Sequence, residues 1–579
     1  MKRRWQRRAG EHPEKDVAPR SAETGGRSCT SSAPSSGCYL TPSPPFGYKP
    51  MMRSDVVRAA STAILLVGTA LRTVQYLSST SLTSDEIAVA LNVIDRGWME
   101  LLFQPLMHNQ VAPLGFLILV KAAVAIGGNT EAAFRFFPYV MSLASLYLFW
   151  RLARLYLGTV TMLSALVVFA LSPTLILYAG VTKQYAGDIA VTLVLMLMAL
   201  RFLANPERLS QAVIIGIVGG IALLFSQPAV LVACGLGVIL LVEEWRARGP
   251  TGKVAALGAG WATGAAIVTY VSVITLSAST SDYMERFWRT SFPPPPWLGM
   301  GELLWLPRRL AETIIHLVAH INTPQSLPAL ALVAMYTLLL VLGIFHLFKR
   351  SSRSALVLAA PVIVAIIAAI VRVLPLSGRV SLFIGPSLLI GSFAGFDRIR
   401  SWLPARTGSL AHACTLGFAI LPALALLARD PPPWINSWTR SAMEDVRANW
   451  EPGDRLAVSR GEWTLISVEY YGRRLGIMEW THIPRLKGSH TAEQILRGYL
   501  SALDAFRGNS RAWLYLEGTV PCEDEAMVGY LMAIGKRLHS ARFDVNEANR
   551  VSAHLFDLSD PAMLARTSAE TYPVPECRG

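Results

Sequence analysis

Residues 111–128 read VAPLGFLILVKAAVAIGG. Whether this stretch crosses a membrane decides how the rest of the chain is threaded. It is apolar but short, and Lys121 interrupts it. A lysine at the centre of a spanning helix costs about 3 kcal/mol to insert. The basic loops arbitrate, because short loops rich in Lys and Arg stay cytoplasmic. With the Arg-rich N-terminus inside and 111–128 lying on the surface, one set of loops agrees. Arg151/Arg154, Arg208, Arg246/Arg248/Lys253, Lys349/Arg350/Arg353 and Arg398/Arg400/Arg406 are then all cytoplasmic. Only the loop 278–327, with Arg286, Arg289, Arg308 and Arg309, goes against it. If 111–128 spans, the agreeing loops all move outside. The stretch is therefore expected as a helix along the outer interface, with Lys121 snorkelling.

Working outward, apolar runs near the bilayer length of ~20 residues recur along the chain. They fall near 56–77, 134–157, 159–179, 186–204, 211–227, 229–244, 254–277, 328–348, 354–373, 379–396 and 409–428. The expected fold is a polytopic α-helical membrane protein with about eleven spans. Composition agrees: charged residues are 16% of the chain, against roughly 25% in soluble domains. The net charge of +14 would suggest nucleic acid in a soluble protein. Here it sits in short loops and the N-terminal tail, where it sets topology. The six cysteines show no CxxC and no metal-ligand spacing, so zinc is not indicated.

Three parts are expected. Residues 1–52 are rich in Arg, Ser, Pro and Gly and read as a disordered tail without a signal-peptide core. A start at Met51 or Met52, where MMRSDVVR leads into the first apolar run, fits equally well. Residues 53–429 form the membrane domain, with a long outer loop at 78–133. Residues 430–579 are too polar to span and form an external domain. Its strands are expected at 455–459, 475–479, 511–518 and 551–559, and its helices at 463–471, 492–506 and 523–541. Alternation favours a mostly parallel sheet. No Gly-rich phosphate loop follows any strand. Cys522 and Cys577 are the only cysteines of this part, and an external domain allows them to pair.

Three groups on the outer face can carry chemistry. Thr83-Ser84-Asp85-Glu86 opens a loop helix. A capping box explains Thr83 and Glu86, but not Asp85, which is free to act as a general base. YAGVTKQYAGD (178–188) places Lys183 near Asp188 where two helices meet, which suggests an ion-paired site. Snorkelling and a helix N-terminus are the plainer explanations of these two. LPLSGRVSLFIGP (374–386) puts Arg379 after a Pro/Gly turn. It is either an interfacial anchor or a planar cation for phosphate oxygens. One possible base and two or three cations suit displacement of a phosphate leaving group, although periodicity and charge alone do not point to a sugar.

SDEIAVALNVIDRG, HNQVAPLGFLILVKAA, EAAFRFFPYVMSLASL, SPTLILYAGVTKQYAGDIA and PLSGRVSLFIGPSLLI follow one another over residues 80–400. In their order the chain resembles the GT-C superfamily of polyprenyl-phosphate-sugar-dependent glycosyltransferases. It is similar to the family-39-like bacterial enzymes, relatives of protein O-mannosyltransferases and lipid A aminoarabinose transferases. The resemblance implies transfer of a sugar from a polyprenyl-phosphate donor to a lipid, glycan or protein acceptor. The transfer would be an inverting single displacement at the outer face of the bacterial cytoplasmic membrane. It puts the base at Asp85, with Glu86 as helper. Asp188 is the second acidic position, an alternative base or a group orienting Lys183. Lys183 and Arg379 fall where the lipid phosphate is held. The family's KPP before the interfacial helix is HNQVAP here, so His108 or Gln110 stands in for a lysine contact. Tyr185 is a further candidate substrate contact. No cofactor is required by this reading. Asp85 and Asp188 could share a divalent ion, without further ligands in the sequence. A transporter or lipid flippase of envelope glycan assembly is the main alternative, and a non-catalytic scaffold the next.

Overall fold

In the computed structural model the described residues are 54–579, apart from 205–208, 249–251, 295–303, 321–325, 403, 436, 461, 487–489, 519, 545–549, 576 and 578–579. The expected N-terminal tail lies outside them.

Every expected span is helical, but the count of eleven is not reached by length and apolarity. Eight helices among the described residues are long and apolar enough to cross a membrane, or nine if one bent pair is a single span. The bent pair is Thr159–Leu171 followed by Pro173–Gly180, at 49°. Pro173 opens the second piece and Ser172 caps it, so the backbone bonds of one helix cannot run through. Leu209–Leu223 has only 15 residues and rises ~22 Å, short of the ~30 Å core. It pairs closely with Gly252–Thr275. A Cβ on Gly220 would lie 2.3 Å from the Gly260 carbonyl oxygen. Two backbones can meet this closely only over glycine.

An arginine holds the bend. Arg72, in helix α1 (Ser54–Leu77), is fully buried. It donates to Ala170 O at 2.8 Å, Phe169 O at 3.1 Å, Gly68 O at 2.9 Å and Ser142 Oγ at 3.0 Å. It satisfies carbonyls that the break at Ser172 leaves without helical partners.

Between α1 and the next long helix lies the region that builds the site. It holds α2 (Ser84–Asp95), α3 (Trp98–Phe103) and α4 (Leu114–Gly127), followed by the long helix α5 (Glu131–Tyr156). The stretch 111–128 is thus a 14-residue helix, opened by Pro113 and stopped by Gly128 at φ 73°. Lys121 does not snorkel. Its Nζ donates to Val93 O at 2.7 Å and Arg96 O at 2.6 Å, closing the C-terminal end of α2, where carbonyls lack partners and a cation is favoured.

The C-terminal sheet has strands β1 (Arg455–Arg460), β2 (Thr481–Pro484), β3 (Ala512–Glu517), β4 (Lys536–Asp544) and β5 (Arg550–Asp557), in the order β2-β1-β3-β5-β4. β1 is parallel to β2 and β3, while β5 is antiparallel to β3 and β4. The sheet is therefore mixed, not mostly parallel. Two expectations fail locally. Residues 475–479 are not a strand: Gly476 at φ 76° ends the helix Glu462–Leu475, and Ile477 N bonds back to Gly472 O at 2.9 Å. That stretch is used up as a helix cap. The expected helix 523–541 stops at Ile534, and Lys536–Asp544 becomes an edge strand. Lys536, Arg537 and Arg542 lie along it, the charged edge that discourages pairing with another sheet. Cys522 and Cys577 are disulfide-bonded.

The sheet and the site region share one core. Leu82, Ile87, Leu91, Phe116 and Phe134 pack in the same apolar cluster as Met443, Val446, Tyr470, Tyr471 and Trp513.

Candidate active site

The site is built on the turn before α2. Thr83 and Glu86 form the expected capping box, with Glu86 Oε2 accepting from Thr83 N at 3.0 Å. Glu86 does more than cap. It is fully buried, and Arg135 from α5 forks onto both its oxygens at 2.9 and 3.0 Å. Thr182 N donates to Oε1 at 2.7 Å. Burial pushes the Glu86 carboxyl up, but Arg135 and the Thr83 and Thr182 bonds outweigh it and hold the group below its usual range. Neither oxygen is open to an acceptor molecule. The catalytic-helper role expected for Glu86 is replaced by an anchoring one, joining the 80–83 turn, α5 and the 181–184 turn.

Asp85 is the next residue back and remains 29% exposed. Lys183 Nζ is 2.8 Å from its Oδ1, and Arg379 NH1 is 2.9 Å from its Oδ2. Burial raises the Asp85 carboxyl, yet the two bonded cations prevail and keep it below the ordinary carboxylate range. One anion between two cations leaves the cluster with a net positive charge.

Each cation has its own support. Lys183 is 7% exposed, and its Nζ also donates to Gln110 Oε1 at 2.7 Å. Burial pulls its ammonium down against the field of Asp85. Gln110 Nε2 donates to His108 O at 3.2 Å, so His108 contributes its carbonyl to the support of Gln110. His108 and Asn109 both have positive φ, 58° and 52°. This costly turn is held by Asn92 of α2, whose side chain exchanges bonds with Met107 N at 2.8 Å and Met107 O at 3.2 Å. Arg379 lies in the 3-10 turn Gly378–Ile384, with its guanidinium 5.7 Å from the Tyr185 ring centre. Tyr178 packs edge-on against Tyr185 at 5.2 Å.

Asp188 corrects a further expectation. Lys183 pairs with Asp85, which is distant in sequence, and not with the nearby Asp188. Asp188 sits one turn into the helix Tyr185–Ala204, 3% exposed, with Oδ1 lacking a hydrogen-bond partner. Among the described residues no group of three or more His, Cys, Asp or Glu side chains could hold a metal ion. Asp85 in particular meets a cation at each oxygen.

A shallow hollow lies beside the site, lined by Leu102, Leu106, Leu114 and Leu276 together with Gln104 and Thr275, and reaching Gln110.

Arg135, Asn92 and the Lys183–Asp85 pairing were not read from the sequence. The one available signal was for Arg135, an arginine near the start of an apolar helix, where a charge is costly unless paired.

The fold and site thus define a polytopic helical membrane protein with a partly buried carboxylate and two cations at the end bearing the sheet. Residues 111–274 match the family model described as dolichyl-phosphate-mannose-protein mannosyltransferase. ArnT from Cupriavidus metallidurans, solved bound to undecaprenyl phosphate, is similar at 12% identity and a TM-score of 0.50, covering 88% of this chain and 99% of that one. The oligosaccharyltransferase AglB from Archaeoglobus fulgidus, in complex with an inhibitory peptide and a dolichol-phosphate, gives 11% identity, coverage of 83% and 72%, and a TM-score of 0.45. The arabinofuranosyltransferase AftD from Mycobacteria gives 14%, coverage of 89% and 40%, and 0.46. No curated protein sequence matches. The family match is confined to residues 111–274, and the likeness to ArnT extends a shared fold over most of the chain.

Proposed function

We propose that this protein moves a sugar from a polyprenyl-phosphate donor to an acceptor hydroxyl on the outer face of a bacterial cytoplasmic membrane. The carrying observation is the Asp85 carboxylate held between Lys183 and Arg379. A sugar phosphodiester bears one negative charge, and the departing polyprenyl phosphate bears two. Cations placed at the phosphate therefore gain most as the sugar–phosphate bond breaks, which favours the transition state over bound substrate.

The arriving phosphate competes with Asp85 for Lys183 and Arg379. As it takes them, Asp85 loses the two fields that depress it and becomes a better base. Asp85 then accepts the acceptor hydroxyl's proton. The freed oxygen attacks the anomeric carbon from the face opposite the phosphate, and the carbon–oxygen bond to the phosphate breaks. One displacement inverts the anomeric centre. Beside Gln110, Leu102, Leu106 and Leu114 offer apolar surface to the near end of a polyprenyl chain. The Cys522–Cys577 bond supports an oxidising, external setting for the sheet domain.

The test has two arms. Glycoconjugates of a deletion strain are compared with the parent by mass spectrometry, and the purified protein is offered a panel of radiolabelled undecaprenyl-phosphate sugars. One glycan lacking a single residue, and one donor consumed, are expected. An unchanged glycan profile together with no donor consumed removes the proposal.

A further inference from the structure

The sheet domain makes direct polar contacts with the turn 80–83 that precedes Asp85. Every link can be followed. Thr80 O and Ser81 O accept from Arg135 at 2.7 and 3.1 Å. Ser81 Oγ accepts from Arg440 N at 3.2 Å. Leu82 N donates to the Tyr471 hydroxyl at 2.8 Å. Thr83 N donates to Glu86 Oε2 at 3.0 Å. Two of these four residues are thus held by groups beyond residue 430.

Tyr471 is the central piece. It sits on the helix Glu462–Leu475, is 1% exposed, and packs in the core shared with α2. Its hydroxyl accepts from Leu82 and donates to Glu131 Oε1 at 3.4 Å. Glu131, the first residue of α5, is 3% exposed. Arg474 reaches the same oxygen at 2.9 Å and Arg440 at 3.3 Å. A single chain of bonds therefore runs from two sheet-domain arginines through Glu131 and Tyr471 to the backbone at Leu82. Asp85 lies three residues on, at the start of a helix whose capping box ties it to that turn.

We infer that the sheet domain is a clamp that sets the place of Asp85, with Tyr471 as its positioning residue. This rests on the reading of Asp85 as the base. The clamp belongs in the transition state more than in donor binding. The cations that meet the phosphate, Lys183 and Arg379, are carried by other segments, whereas the distance from carboxylate to acceptor proton depends on where the 80–83 turn sits. A misplacement of about 1 Å can cost on the order of 100-fold in rate.

The test uses the full chain in detergent or nanodiscs, with Tyr471→Phe against Tyr470→Phe. Tyr470 is the neighbouring tyrosine; its hydroxyl donates to Asn129 Oδ1 at 2.9 Å and accepts from Arg474 at 3.3 Å, with no bond to residues 80–83, and Arg474 keeps its own bond to Glu131 when that hydroxyl is removed. For Tyr471→Phe, kcat on the consumed undecaprenyl-phosphate sugar should fall roughly 10- to 100-fold with donor KM unchanged. Amide exchange should quicken over 78–86 but not over the sheet strands. Tyr470→Phe should leave kcat as in the wild type. Glu131→Gln, which keeps shape but weakens the anchor, should move kcat in the same direction as Tyr471→Phe. Wild-type kcat in Tyr471→Phe overturns the inference. So does an equal loss in the two phenylalanine variants, or faster exchange across the whole sheet domain, since either means general loosening. If the wild type consumes no donor, the functional proposal falls on its own. The exchange arm then decides the clamp, and unchanged protection over 78–86 in Tyr471→Phe overturns it.

Discussion

Lys183 reaches Asp85 from the turn before helix Tyr185–Ala204, with Nζ 2.8 Å from Oδ1. The contact crosses between two segments that are far apart in sequence, and Arg379 closes it from a third at 2.9 Å. One carboxylate thus occupies two cations, and the cluster keeps a net positive charge.

That arrangement predicts opposite effects on chemistry and binding for one substitution. Asp85→Asn keeps the shape but removes the proton acceptor and the competing charge. Turnover should be lost, by about 10²- to 10⁴-fold, while undecaprenyl phosphate binds at least as tightly as to the wild type. Stopped turnover would be measured on purified protein, with binding by titration calorimetry. Near-normal turnover would pass the base to Asp188.

The pH profile of kcat/KM reports the free enzyme's groups. Asp85 is depressed, so activity should persist on acidification until the pH passes below the ordinary carboxylate range. In Lys183→Met burial remains while one offsetting cation is gone, so the acid limb should move to higher pH. Lys183 itself is lowered by burial. It loses its charge as pH rises through that lowered value, giving an alkaline limb below the ordinary lysine range that Lys183→Met should lack. An acid limb unmoved in Lys183→Met would separate the two residues.

Arg379→Lys preserves charge but not geometry. The planar group bonds Asp85 and lies over the Tyr185 ring, and a lysine offers a point charge instead. Turnover should drop by about tenfold or more, the equivalent of one charge-assisted bond. Donor affinity in Arg379→Ala at the wild-type level would remove Arg379 from the phosphate site.

Glu86 is expected to matter for stability and not for the proton. Removing one partner of a buried pair leaves the other charge stranded, at a cost of about 3 to 5 kcal/mol. Glu86→Ala should therefore lower the thermal midpoint in detergent sharply, through Arg135. A variant with an unchanged midpoint but no turnover would restore Glu86 to the chemistry.

Reducing the Cys522–Cys577 bond frees a loop of sequence separation 55. The sheet domain should lose about 4 kcal/mol on the loop-entropy account, seen as a reductant-dependent fall in its unfolding midpoint. Identical curves with and without reductant would contradict the bond.

The membrane class and the helical spans were legible in the sequence, because a bilayer demands long apolar runs whatever packs beside them. The capping box at Thr83 and Glu86 was legible too, since three residues of local backbone settle it. The edge strand 536–544 was not. Its alternating polar pattern is weak, and what defines it is the neighbour β5. The same holds for Lys121, whose carbonyl partners belong to another helix.

For the site, the sequence by itself determined which side chains carry charge at helix ends: Asp85, Lys183 and Arg379 among them. Which carboxylate Lys183 would meet was decided only by the tertiary structure. Asp188 is five residues away along the chain, but its place one turn into the helix takes it out of reach of the ammonium. Asp85 is brought to Lys183 by Glu86, whose bonds to Arg135 and to Thr182 N tie the two turns together. Side-chain charge is a property of one residue, and so it can be read in order. A pairing depends on where two backbones are held, and here that is fixed by buried contacts among three separate segments.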